Sequence, residues 1–128
     1  MKITMTSVFV DDPIKAHKYY TEVLGFQSKE FSPDAQIAIV VSPEEPDGVA
    51  LLLEPTGFSF AKIYQENLYN AGLPTIVFGV TDIQAEINKL KSRGVVFRDD
   101  LSKPEWGIDY LFEDTFGNLI MLQELKIS

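Results

Sequence analysis

Residues 8–26 read VFVDDPIKAHKYYTEVLGF. The opening VFV is β-branched and aromatic and reads as strand. Asp12 can cap a helix by accepting from its first-turn amides, and Pro13 suits the first helical position, where a missing N–H costs nothing. Ala16, Tyr20, Val23 and Leu24 then recur at helical spacing, and Gly25 can take the left-handed conformation that closes the helix before Phe26. The stretch predicts strand, amphipathic helix, glycine stop and second strand. A weaker copy, VFGVTDIQAEINKLKSRGVV, occupies residues 77–96, with Asp82 following Asp12 at an offset of 70.

Outward from this stretch, Ile3–Val10 alternates Met5, Ser7 and Phe9 on one face with Thr6, Val8 and Val10 on the other. The helix is expected to pack on the second set, leaving the first face free. Phe26–Phe31 and Ile37–Val41 are strand candidates joined by the turn SPDA. SPEEPDG at 42–48 is a polar turn whose prolines cannot continue a ladder, and VALLLE at 49–54 is a strand. Phe60, Tyr64, Leu68 and Ala71 share one stripe of a connecting helix ending at Gly72.

The second half repeats the plan. Thr75–Val80 is a strand, and Thr81 or Asp82 caps a helix bearing Ile83, Ile87 and Leu90 that stops at Gly94. Val95–Arg98, Ile108–Glu113 and Leu119–Leu125 are the remaining strands, with Asp114 and Gly117-Asn118 in a turn. VALLLE aligns with NLIMLQ at an offset of 69, and two landmarks at nearly one interval argue for internal duplication. The fold class that follows is α+β, one domain over 1–128. Its βαβββ modules, 1–57 and 74–128, are joined by a connector helix at 58–73. The helix-free faces of the two modules are expected to curve around a shared cleft as a cupped mixed sheet.

Composition narrows the function. At 128 residues with 45% hydrophobic and 23% charged, the chain suits one ordinary domain. It has no cysteine, which excludes disulfides, thiolate metal sites and cysteine nucleophiles. A net charge of −8 would repel phosphate backbones, so nucleic acid is not an expected partner. No apolar run reaches bilayer length, so no membrane partner is expected. The start MKITMTSVFV lacks a separate signal-peptide core, and a cytoplasmic location is the expectation.

The pattern VxVxDxxKAxxYYxxVLGF with the distal GxxxxxxEDxxGNxIxLQE resembles the vicinal-oxygen-chelate superfamily of glyoxalase I, bleomycin-resistance proteins and extradiol dioxygenases. The resemblance implies paired βαβββ modules, usually a homodimer, with a ligand in the cupped sheet, often held through a divalent metal. Carried over by position, the metal ligands fall on Met5, Leu52, Thr75 and Met121. Two thioethers, an alkyl chain and a hydroxyl do not suit a hard or borderline cation, so no metal or other cofactor is expected. A slip of two residues would bring in Ser7, Glu54 and Gln123, a set without imidazole that would hold zinc poorly.

His17, the single histidine, falls on the polar side of the first helix and is expected to be a solvated surface residue. Glu54 shares the cleft-facing parity with Ala50 and Leu52. Partial desolvation there would suit a general base, against the plain reading of a strand-end carboxylate reaching water. Phe9, Phe60, Tyr64, Trp106 and Tyr110 could line an aromatic cleft, with Trp106 stacking on planar or cationic groups, or could simply pack the core. With Ser7, Leu52, Thr75, Met121 and Gln123 they form the expected ligand-binding set.

Three readings follow. The first is a metal-free binder of a small planar or cationic molecule in an aromatic, mildly acidic cleft. The second is a glyoxalase-type lyase or dioxygenase with a relocated metal or with Glu54 as base. The third is a non-catalytic interaction domain whose cleft is filled.

Overall fold

The computed structural model describes residues 1–98 and 107–125. They fall into two units, Met1–Tyr64 and Gln65–Ser128, the boundary lying inside a helix. The elements are β1 (Met5–Val10), α1 (Pro13–Lys18), β2 (Gln27–Ser32), β3 (Ile37–Val41), β4 (Ala50–Pro55), α2 (Ser59–Asn70), β5 (Ile76–Val80), α3 (Ile83–Ser92), β6 (Gly107–Glu113) and β7 (Leu119–Leu125). The architecture is mixed α+β, with one mixed sheet in each unit.

In the first unit the strand order is β1-β4-β3-β2, with β1 parallel to β4 and the other pairs antiparallel. Asp12 caps α1 by accepting from the Lys15 amide at 3.1 Å. Ala16 and Tyr20 are fully buried against the sheet face carrying Val8, Val10, Ala38, Val40, Leu51 and Leu53. The expected single helix through Leu24 is not what forms. After Lys18 the coil widens over Tyr19–Val23, where the Leu24 amide reaches back five residues to the Tyr19 carbonyl at 3.1 Å. The wider turn shifts the helical phase, so Val23 and Leu24 end half-buried rather than inside the core. Gly25 sits at φ +91°, letting the Phe26 amide return to the Tyr20 carbonyl.

In the second unit the order is β5-β7-β6, again with the outer helix-flanking pair parallel. Asp82 caps α3 through the Ala85 amide at 3.1 Å, and Ile83, Ile87 and Leu90 are buried over Ile120 and Leu122. A second carboxylate, Glu124 on β7, accepts from the Ile83 amide at 2.9 Å. The expected strand over Val95–Arg98 is a correction. It contributes one bridge, Phe97 to Phe112, flanked by amide bonds from Arg98 to Leu111 and from Glu113 to Val96.

The ladders reproduce the internal repeat residue by residue. Ser7 stands opposite Leu52 in the first sheet, and Val77 opposite Met121 in the second. Those are the offsets of 70 and 69 seen in the sequence, so the duplication governs register as well as element order.

The stripe of α2 that is buried also differs from expectation. Ala61 and Gln65 face inward, while Phe60, Tyr64 and Ala71 are exposed. Gln65 is drawn in by polar partners rather than apolar ones: its side-chain amide donates to the Phe116 carbonyl at 3.0 Å and to Asn118 Oδ1 at 3.3 Å. That loop, residues 114–118, is organised by Asp114. Its carboxylate accepts from the Phe116 and Asn118 amides at 2.8 and 3.1 Å and from Asn118 Nδ2 at 2.8 Å.

Candidate functional site

Each sheet buries one face under its helix, and the strand period of two sends alternate side chains to the other face. In the first unit that helix-free face is laid out by register. Met5, Ser7 and Phe9 stand opposite Ala50, Leu52 and Glu54, and Ile39 flanks Leu52 on its other side. Met5 and Ser7 are exposed, whereas Phe9, Leu52 and Glu54 are partly buried.

From the first turns of α2, Tyr64 meets Phe9 in a T-shaped contact, with centroids 6.2 Å apart and planes at 79°. This arrangement satisfies both ring quadrupoles. Tyr64 still keeps 52% of its surface open. The structure thus brings Ser7, Phe9, Leu52, Glu54 and Tyr64 onto or beside one surface. It does not bring Phe60 there. That ring, one turn before Tyr64 on the same stripe, stacks on Phe58 at 5.2 Å and 11° instead.

In the second unit the corresponding face carries Val77 opposite Met121 and Gly79 opposite Gln123, with Leu111 and Asp109 on the far side of β7. Thr75 lies just before β5 and donates its amide to the Leu119 carbonyl at 3.0 Å. Tyr110 departs from the expected set by parity. Its ladder partner is Leu122, which is buried on the α3 side. The Lys91 ammonium lies 5.9 Å from the Tyr110 ring centroid and 5.7 Å from that of Phe97. Gln84, Ile87, Lys91 and Tyr110 border a hollow of about 110 Å³, well short of the several hundred that a drug-sized ligand occupies. The expected Trp106 contact lies outside the described residues.

Two polar constellations stand apart from these faces or at their ends. His17 is not a freely solvated side chain. Its ring stacks on Phe31 at 4.0 Å and 5°, with Nε2 2.8 Å from Ser28 Oγ, and burial lowers its pKa from 6.5. It belongs to the α1 side, away from Leu52 and Phe9. The other constellation joins α2 to β6. The Tyr69 hydroxyl donates to Glu113 Oε1, while Arg98 Nη1 donates to the Tyr69 oxygen at 3.2 Å and approaches Glu113 at 3.4 Å. The hydrogen bond to Glu113 raises the Tyr69 pKa above 10.0, helped by burial and the carboxylate charge and opposed by Arg98.

Sequence reasoning missed Ile39, Val77 and Leu111 on the open faces, although the parity of β3, β5 and β6 carries them. It also missed the Tyr69–Glu113–Arg98 group, for which no local pattern exists, since Tyr69 and Glu113 are 44 residues apart.

The sequence pattern of the Glyoxalase/Bleomycin resistance protein/Dioxygenase superfamily matches residues 2–122. The chain belongs to that superfamily. Uncharacterized protein YurT of Bacillus subtilis (strain 168) is 45% identical over 124 residues, covering 95% of this chain and 98% of the other. Among solved structures, UcmS2 has a TM-score of 0.79 at 22% identity, covering 96% of this chain and 97% of that one. TnmS3, an antibiotic binding protein from Streptomyces sp. CB03234, has a TM-score of 0.77 at 23% identity, covering 98% and 97%. At such identities the likeness establishes the fold.

Superfamily members usually hold a metal, so the donor chemistry here matters. The positions expected from the resemblance to correspond to its ligands are Met5 and Leu52 in one unit and Thr75 and Met121 in the other. Thioether, alkyl and hydroxyl groups do not fit a hard or borderline divalent cation, which takes carboxylate, imidazole or carbonyl donors. Among the described residues, no group of three or more His, Cys, Asp or Glu side chains is placed to hold a metal ion.

Proposed function

We propose that this protein is a small-molecule binder of the bleomycin-resistance kind that grips its ligand by shape, apolar contact and ring stacking, without a metal. One observation carries the reading: Met5, Leu52, Thr75 and Met121, the residues at the positions the resemblance carries over as ligands, offer no donor set for a divalent cation. Faces so composed favour the hydrocarbon and π surface of an organic guest. The residues proposed to bind are Ser7, Phe9, Leu52 and Tyr64 on the first unit's face; Thr75, Met121 and Gln123 are the corresponding candidates on the second unit's face, each taken by itself. The net charge of −8, with Glu54 and Asp109 on these faces, favours a planar or cationic compound over an anionic one. The fold shared with an antibiotic binding protein supports a small-molecule ligand. A homodimer in the cytoplasm is part of the proposal, checked by light scattering and cell fractionation.

A thermal-shift screen against cationic aromatics, thiol conjugates and divalent metals tests the reading, since a ligand of the native state raises the melting temperature. An organic aromatic should raise it, and metals or chelator should leave it unchanged. A stoichiometric divalent ion retained through purification would overturn the metal-free assignment. Turnover of a thiol conjugate would favour lyase chemistry with Glu54 as base.

A further inference from the structure

The α3 side of the second unit carries a small hollow that the open faces do not account for. Gln84, Ile87 and Lys91 follow one another at helical spacing on α3, and with Tyr110 of β6 they line a space of about 110 Å³. A cavity of about 150 Å³ can hold benzene, so this one suits roughly four to six heavy atoms. The buried Ile87 and the Tyr110 ring supply apolar surface, while Lys91, Gln84 and the Tyr110 hydroxyl supply polar groups.

Rings, not acids, hold the Lys91 ammonium. It stands 5.7 Å from the Phe97 centroid and 5.9 Å from that of Tyr110, and the two rings lie 4.9 Å apart at 42°. Among the described residues it has no carboxylate partner, although acids outnumber bases 19 to 11 in the chain. The acids of α3 and β7 around it are engaged. Glu86 pairs with Lys89 at 2.9 Å, Asp82 accepts from the Ala85 amide, and Glu124 accepts from the Ile83 amide. Asp109 precedes Tyr110 in β6, so the strand period sends it to the other side of the sheet. The Tyr110 hydroxyl makes no hydrogen bond among the described residues. Gln84 donates one amide hydrogen to Asn88 at 3.0 Å and keeps a second.

A cation would meet Lys91 with like charge. A phosphate dianion would set two negative charges against one ammonium in a chain of net charge −8. A single carboxylate matches that ammonium through a charge-assisted hydrogen bond, and a phenol or carboxamide N–H suits its second oxygen.

We infer that the hollow between α3 and β6 is a site for a short-chain monocarboxylate, its oxygens on Lys91 and its few carbons against Ile87 and Tyr110. The site lies on the helix-covered side of the sheet, so it stands or falls independently of the small-molecule reading of the open faces.

The probes are sodium butyrate, its neutral analogue butyramide, and sodium chloride, each titrated into the full chain at pH 7 while backbone amide chemical shifts are followed. Butyrate should move the amides of residues 84–91 and of Tyr110 along a saturable curve. Its affinity should exceed that of butyramide by at least about tenfold, because the neutral analogue cannot make the charge-assisted bond. Chloride should not saturate. Lys91→Gln should bring butyrate down to the affinity of butyramide, while Lys91→Arg, which keeps the charge, should retain the preference. Lys91 is exposed, and melting curves establish that both variants are folded. Absence of a saturable butyrate shift up to tens of millimolar, equal affinity for the two organic probes, or a preference that survives Lys91→Gln overturns the site. Saturation by chloride at the same amides would make it a general anion contact and overturn the carboxylate assignment. Shifts confined to Val77, Met121 and Gln123 would put the acid on the open face and overturn it too.

Discussion

Single residues set tight conditions in the loop at 114–118. Gly117 has φ +99°, and a Cβ there would fall 2.7 Å from the Gln65 side chain. Gly117→Ala therefore meets backbone strain and a clash together, and should cost about 1–3 kcal/mol in urea unfolding. Adding Gln65→Ala to that variant should return the steric part only. Asp114 is fully buried and serves three donors, so Asp114→Ala should cost about 3 kcal/mol by stranding them. His17 gives a pH signature of definite sign. Its folded pKa lies below the unfolded 6.5, so the unfolded chain binds the proton more readily. Its contribution is present above 6.5 and is lost as pH falls through the lowered folded value. The difference in stability between wild type and His17→Phe, which keeps a ring against Phe31, should change across that window and be flat above it.

At the scale of elements, the two capped helices are near copies, and each cap accepts from the amide three residues on at 3.1 Å. Asp12→Ala and Asp82→Ala should each cost about 1 kcal/mol. These starts were legible because capping is a local device, read from a few adjacent residues. The end of α1 was not, because widening at Tyr19–Val23 depends on how Tyr20 seats against the sheet. The buried stripe of α2 was misread for a related reason. Apolar periodicity pointed to Phe60 and Tyr64, but Gln65 was claimed by a hairpin loop about fifty residues away. Tyr69 shows the same long-range logic. Its phenol, hydrogen-bonded to Glu113, titrates above 10.0, so it contributes stability that is fully present below pH 10.0 and lost as pH rises through the raised folded value. An ultraviolet titration of the five tyrosines should show a late-ionising component that Tyr69→Phe removes.

For the whole molecule, the proposal without a metal predicts a melting temperature insensitive to millimolar zinc, nickel, manganese or chelator, because only a ligand that favours the native state shifts it. The candidate faces were legible where alternation was strict: Met5 and Ser7 were assigned from strand parity, Leu52 and Met121 from the carried-over positions and the repeat offset, and the ladders put them on helix-free faces. Tyr110 was assigned by composition rather than parity, and it lies under Lys91 instead.

The matching ladders carry one more consequence. Val41 pairs with Ala50 and Glu113 with Leu119, so eight residues span the first hairpin where five span its copy. Three residues have come or gone without disturbing a single paired partner. Strand and loop have thus drifted under different rules. Trimming three residues from 42–49 should leave the sheet intact, whereas deleting one from Ala50–Pro55 would invert its inside and outside and turn Leu53 toward solvent.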